Sequence, residues 1–292
     1  MFKSVLLVIT AMVAFAANSL LCRMALVNTN IDPSSFTIIR LLSGAVSLLV
    51  LSIVFYVSQS RSQAPKGLIA SIKQNASVGG GIALFAYALC FSFAYISMAT
   101  GTGALLLFGT VQVTMIAVGL IKGERFTPSQ WLGFSFAIIG LFILLLPSSS
   151  APSMLSAILM ILAGFAWGAY SLIGKRATSP LFASAGNFVI ASALCVPLAA
   201  TVLLTNTNTN IDSTGSIYAL ASGMLASGAG YAIWYAALPL IKSTTAATVQ
   251  LSVPIIATFM GWAILKESLN ITIIVASCAT LGGILLVIRQ RN

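Results

Sequence analysis

The sequence has no histidine and only four carboxylates, Asp32, Glu124, Asp212 and Glu267. Without histidine the usual zinc arrangements are closed to it. Neither a metal nor a cofactor is expected. Charge of any kind is scarce, at 6% of 292 residues, where a soluble domain carries about a quarter. That shortage excludes an ordinary water-facing surface. Cysteine is scarce too: Cys22, Cys90, Cys195 and Cys278 all fall in apolar runs, none with CxxC spacing. They read as small hydrophobes rather than as a redox or metal motif.

What is present is apolar. Hydrophobic residues make up 59% of the chain and the mean hydropathy is +1.06. In lipid only helices and closed barrels satisfy their own backbone. The apolar runs last about 20 residues, which is helix length rather than the ten or so of a barrel strand. The pattern predicts ten spans, near 4–24, 34–57, 78–97, 100–121, 129–147, 153–174, 181–204, 215–238, 243–264 and 270–288. Pro33, Pro128, Pro152 and Pro180 stand just before helix starts, where proline is tolerated. Two gaps are longer: 58–77, with Arg61, Lys66 and Lys73, and the polar, basic-free 205–214.

The net charge of +10 does not point to nucleic acid. Its basic residues are scattered singly between spans, with no basic face or aromatic platform. This is the placement that the positive-inside rule produces. With both termini in the cytoplasm, eleven lysines and arginines fall inside, and three (Arg23, Arg40 and Lys266) fall at or near the outer face. The N-terminus, with Lys3 and small residues at Ala14–Ala16, resembles a signal peptide. It is expected to be retained, because its span has a counterpart later in the chain.

That counterpart belongs to a repeat. Residues 103–124, GALLLFGTVQVTMIAVGLIKGE, resemble 246–267, AATVQLSVPIIATFMGWAILKE, with Glu124 and Glu267 143 residues apart. The same register pairs Gly140 with Gly283. Phe15-Ala16-Ala17-Asn18 followed by Arg23 mirrors Trp167-Gly168-Ala169-Tyr170 followed by Lys175, and Ala86-Tyr87 mirrors Gly230-Tyr231. Five spans is an odd number, so the second copy enters the membrane upside down. The expected fold is an all-α polytopic membrane protein of ten helices in two inverted five-helix repeats, 1–148 and 149–292, around a central cavity. Such repeats are common in secondary transporters.

On these residues the chain resembles the EamA-type members of the drug/metabolite transporter superfamily. The matching features are Trp167, Gly168 and Lys175, Arg40 in the second span, Glu124 and Glu267 closing the fourth and ninth, and Pro254 midway along the ninth. The resemblance covers nearly the whole chain. It implies ten helices in two inverted halves around a central cavity, and export or exchange of small metabolites such as amino acids. The chain departs from the family in three places. Phe15-Ala16 stands where Trp-Gly is usual, Val111 replaces a proline, and Asn187 stands roughly where the second copy would repeat Arg40.

The substrate-binding candidates are Arg40, Tyr87, Gln112, Trp167, Tyr170, Tyr231, Trp234 and Gln250. Arg40 lies about two turns into an apolar span. An arginine at a membrane centre costs about 2.5–3.5 kcal/mol on insertion scales, less toward the face. It is either a cation for a substrate carboxylate or phosphate, or it snorkels or holds backbone carbonyls. Arg23, nearer its helix end, is expected to snorkel. Gln112 and Gln250 each need partners, on a neighbouring helix or on a ligand. Mid-span tyrosines do not suit an interfacial belt, since each hydroxyl wants a partner. Among the aromatics Tyr87, Trp167 and Tyr231 rank first. Pro254 is a kink, and Glu124 and Glu267 read as helix-boundary residues.

The function expected is a secondary transporter, exporter or exchanger, of small metabolites in the bacterial inner membrane. No Asp, Glu or His lies deep in a span, which favours facilitated diffusion or exchange over proton coupling. The expected partners are a small-molecule substrate and the lipid bilayer, with a homodimer left open because glycine-rich faces serve dimers and internal packing alike. Two alternatives are a membrane-embedded lipid-modifying enzyme and a non-transporting scaffold. The first has too few acid–base groups; the second has no large protruding segment.

Overall fold

A computed structural model describes residues 2–58, 67–123, 125–146, 152–175, 177–204, 210–237, 240–241 and 249–289. Among the described residues all regular structure is helical. The first half holds α1 (Phe2–Asn28), α2 (Pro33–Ser58), α3 (Leu68–Asn75), α4 (Val78–Ala94), α5 (Thr100–Ile121) and α6 (Pro128–Leu145). The second holds α7 (Met154–Gly174), α8 (Pro180–Ala193), α9 (Cys195–Leu204), α10 (Ser213–Ala221), a π-helical stretch (Ser222–Ala229), α11 (Gly230–Ala237), α12 (Ser252–Leu265) and α13 (Ile271–Arg289).

The polar residues between spans start the helices. Asp32 accepts from the Ser35 amide and hydroxyl at 2.9 and 2.6 Å ahead of α2. Thr127 and Gln130 form a reciprocal capping box on α6, with Pro128 at its first position. Ser153 and Asp212 cap α7 and α10 by accepting from the Ser156 and Gly215 amides.

Seven helical stretches among the described residues, α8 and α9 together counting as one, are long and apolar enough to cross a membrane, and an eighth counts if the bent pair α3–α4 is one span. Three details differ from the sequence reading. The gap 58–77 contains the helix α3, which meets α4 at 74°. The seventh span breaks between α8 and α9, where Pro197 lacks the N–H that would continue the ladder. In the ninth, 249–250 are helical, a turn at Leu251 follows and α12 runs from Ser252, while 242–248 lie outside the described residues.

The two halves pack as an inverted pair. The α4–α7 contact is matched by α1 against α10, the π stretch and α11; α5–α7 is matched by α12–α1; and α2 against the π stretch is matched by α8–α4. Three further crossings, α2–α8, α5–α12 and α6–α13, pair each helix with its own counterpart. Glycines set how closely the last pair approaches. A Cβ on Gly133 would lie 2.6 Å from the Gly283 carbonyl oxygen, and one on Gly140 would lie 2.8 Å from that of Ala276. The 143-residue register exchanges these two contacts.

The π stretch explains an offset in the repeat. At its start, Gly80 and Gly223 occupy equivalent crossings: Gly80 faces Asn187, and Gly223 faces Gly44. Past it, Tyr87 matches Tyr231, one residue further on in the register. A π turn holds one residue more than an α turn, so the stretch absorbs the insertion. The same crossings correct the position given to Asn187. Its counterpart is Gly44, and the residue opposite Arg40 is Ala183.

Candidate functional site

Phe36, Thr37, Arg40, Leu41, Gly44, Ala45 and Leu48 are all buried and recur at helical spacing, so Arg40 lies on the core-facing stripe of α2. It is 2% exposed and neither snorkels nor holds a carbonyl. Its Nη2 donates to the Tyr87 hydroxyl at 3.1 Å. Its guanidinium carbon lies 5.2 Å from the Tyr87 ring centroid and 4.8 Å from that of Phe91, within cation–π range. Nε and Nη1 are buried and have no hydrogen-bond partner among the described residues. An unpaired buried charge is costly, which makes this cation the polar centre of the bundle.

Aromatic side chains extend from it across both halves. Tyr87 meets Trp167 at 4.8 Å between centroids. Trp167 stacks on Tyr170 at 5.2 Å and 30°, and meets Tyr231 at 5.5 Å. Tyr231 contacts Phe15 at 5.8 Å and Phe188 at 5.9 Å, and Phe15 contacts Trp234 at 6.1 Å. The arrangement follows the pseudo-two-fold: Tyr87 on Trp167 has its counterpart in Tyr231 on Phe15, and Tyr87–Phe91 has its counterpart in Tyr231–Tyr235.

The two halves of the cluster differ chemically. Beside Arg40, Asn18 donates to the Tyr87 hydroxyl at 3.2 Å and accepts from Ser222 at 2.6 Å. In the other half Tyr170, Ser184 and Tyr235 supply hydroxyls, with the buried Asn187 amide beside Tyr170. Ser184 is 3.2 Å from the Tyr170 hydroxyl and donates to that of Tyr235 at 3.3 Å.

Of the residues singled out in the sequence, Arg40, Tyr87, Trp167, Tyr170, Tyr231 and Trp234 come together here. Gln112 does not join them. It is buried on the stripe of α5 that carries Gly101, and Gly101 packs on Thr258 of α12. Gln250 stands just ahead of α12 and is half-buried. Phe15, Asn18, Ser184 and Phe188 were not among the candidates. Asn18 and Phe15 lay in the string that mirrors Trp167–Tyr170, which was a usable signal. Ser184 sits in a run of small residues and gave none.

Arg23 does not snorkel either. Its Nη1 donates to the Tyr95 and Ile96 carbonyls, both at 2.8 Å, and its Nε lies 3.5 Å from Glu267. Glu267 also accepts from the Thr100 amide at 2.9 and 3.0 Å and from its hydroxyl at 3.1 Å, capping α5 across the bundle. Glu124 lies outside the described residues. Two cavities open at opposite ends of the bundle. One, of about 480 Å³, lies beside Glu267, Lys266 and Trp262; the other, of about 280 Å³, lies among Asn75, Ser77, Ile173 and Asn187. The aromatic cluster lies between them, with Tyr87, Tyr170 and Tyr231 buried and Phe15, Trp167 and Tyr235 half-buried.

Comparison with known proteins adds the family. The sequence profile of the EamA-like transporter family matches residues 2–146 and again 154–289. An uncharacterized Pseudomonas aeruginosa protein is 45% identical over 289 residues, covering 99% of this chain and 96% of that one. A protein named as an uncharacterized transporter from Archaeoglobus fulgidus is 25% identical over 226 residues, covering 72% of this chain and 75% of its own. A solved crystal structure at 14% identity superposes with a TM-score of 0.64 over 98% of this chain and 96% of that one. At that identity it bears on the fold alone.

Proposed function

Since the chain belongs to the EamA-like transporter family, we propose that it is a secondary transporter moving small metabolites, amino acids among the candidates, across the bacterial inner membrane by alternating access. Membership makes it a multi-pass membrane protein of a transporter family; the mechanism and the site are our reading. The observation that carries it is the convergence of both inverted halves on one buried cation with two unpartnered N–H groups, Nε and Nη1 of Arg40. A structural arginine would be expected to have its nitrogens satisfied. One left short of partners inside an aromatic shell is equipped to receive an anionic group on a solute.

The mechanism follows from the packing. A cavity lies at each end of the bundle, with the cluster between them. Rocking one half against the other about the glycine crossings would open the cluster to one face at a time. Glu267 and Arg23 hold the end of α4 to the start of α5 and the end of α12, so that end opens when this tie releases. Both termini are assigned to the cytoplasm, on the lysine and arginine placement.

The test is flux. Purified protein reconstituted in vesicles should take up some member of a broad labelled metabolite panel saturably. Arg40→Gln and Trp167→Ala should each lower that uptake tenfold or more (about 1.4 kcal/mol per factor of ten). Flux of nothing in the panel, or flux indifferent to both substitutions, contradicts the proposal. The lipid-modifying enzyme gains no comparable support, because the described carboxylates Asp32, Asp212 and Glu267 are all engaged away from the cluster.

A further inference from the structure

Resting on the transport reading above, we infer that the site takes an organic monoanion without an ammonium group, its carboxylate at Arg40 and an uncharged hydroxyl-bearing end at Ser184, Tyr170 and Tyr235. This goes beyond the amino acids expected from the sequence, and four observations carry it.

The first is charge. Arg40 has no counter-ion, and each described acid is engaged elsewhere. Asp32 binds Ser35, Asp212 caps α10, and Glu267 holds Thr100 and Arg23. A carboxylate entering the cluster neutralises the buried guanidinium and accepts at one of its free edges, from Nε or from Nη1. A zwitterion would bring an ammonium into the same low-dielectric site, close to a like charge and without a carboxylate. The second concerns the rings that could hold an ammonium instead. Those nearest the guanidinium, Tyr87 and Phe91, already carry Arg40 on their faces.

The third is the asymmetry of the two halves. The counterpart of Arg40 is Ala183, and its neighbour Ser184 is tied to Tyr170 and Tyr235. That end offers hydroxyls that donate and accept, with no charge. The fourth is what lies between the two ends. Trp167 touches Tyr87 on one side and Tyr170 on the other, so the middle of the path is aromatic and suits an apolar body.

Four probes separate these claims. Desaminotyrosine, tyrosine and tyramine share one phenol and differ in charge, and phenylpropionate is the same acid without the phenol hydroxyl. Binding to the full-length protein in vesicles is read by tryptophan fluorescence. Desaminotyrosine should bind tighter than tyrosine by about tenfold or more, with tyramine weakest. Phenylpropionate should bind several-fold more weakly than desaminotyrosine. Arg40→Gln should erase the preference for the acid over tyramine. Ser184→Ala, a small change at a helix position that tolerates alanine, should bring the two acids level.

Tyrosine or tyramine binding as tightly as desaminotyrosine overturns the charge assignment and leaves transport standing. Equal binding of the two acids to the unsubstituted protein overturns the hydroxyl end. Binding of none of the four overturns the substrate class; saturable flux of another metabolite would then preserve transport without it, and flux of none would remove both.

Discussion

The Tyr87 hydroxyl accepts a hydrogen bond from Arg40 Nη2 at 3.1 Å, and the same ring lies 5.2 Å below the guanidinium carbon. Tyr87 thus serves the cation twice, as an acceptor and as a π face. Tyr87→Phe separates the two. The ring stays, and the acceptor shared by Arg40 and Asn18 is lost. The expected effect is a loss of about 1–3 kcal/mol of stability, read as a lower thermal midpoint in detergent. An unchanged midpoint would mean that the bond contributes nothing.

Glu267 gives a second prediction. Glu267→Ala removes the acceptor for the Thr100 amide and leaves Arg23 with its two carbonyls alone. Loss of a cap costs about 0.5–2 kcal/mol. Glu267→Gln keeps an oxygen for Thr100 and loses only the charge facing Arg23, so its midpoint should fall between those of Glu267→Ala and the parent. If the two variants melt together, the cap contributes nothing beyond the ion pair.

Two adjacent glycines on α13 make a matched pair. A Cβ on Gly283 would meet the Ala137 amide nitrogen at 2.6 Å, whereas one on Gly282 meets nothing within 4 Å. Gly283→Ala should lower stability by about 1–3 kcal/mol through overpacking. Gly282→Ala should be neutral, or slightly stabilising through helix propensity. Equal midpoints for the two variants would remove the close crossing of α6 and α13 from the account.

The π stretch can be tested by shortening it. Leu225 is 65% exposed and lies within it. Deleting Leu225 removes the extra residue, lets the stretch close as α-helix and leaves the residues beyond it in the register of α4. Tyr231, Trp234 and Tyr235 should then keep their places in the cluster. The protein should still insert and fold, with flux close to that of the parent. A stable deletion with flux lowered tenfold (about 1.4 kcal/mol) would show that the stretch does more than absorb the insertion.

The architecture was legible because its signals are long. Apolar runs of about twenty residues, a 143-residue register and capping residues at Asp32, Thr127 and Asp212 all lie in the linear pattern. The site was legible in part. Arg40 announced itself as a charge in an apolar span, and the mid-span aromatics as rings with hydroxyls to satisfy. What remained hidden depended on one-residue offsets and on rotation about a helix axis. The π insertion moved the register between Gly80 and Tyr87, and the counterpart of Arg40 was placed one helical turn too far, at Asn187 instead of Ala183. Gln112 was drawn toward the site by its depth in the span, yet its stripe faces α12. Arg23 was read from its closeness to a helix end, while its partners lie 72 to 244 residues away in sequence.

Counterflow across reconstituted vesicles tests the central claim most directly. Vesicles preloaded with an unlabelled substrate are diluted into a trace of the same compound in labelled form. Alternating access through a single site predicts that preloading accelerates entry of the label, with a transient overshoot, and that Arg40→Gln removes the effect. Uptake that rises linearly with concentration and ignores the preloaded substrate would contradict transport through this site.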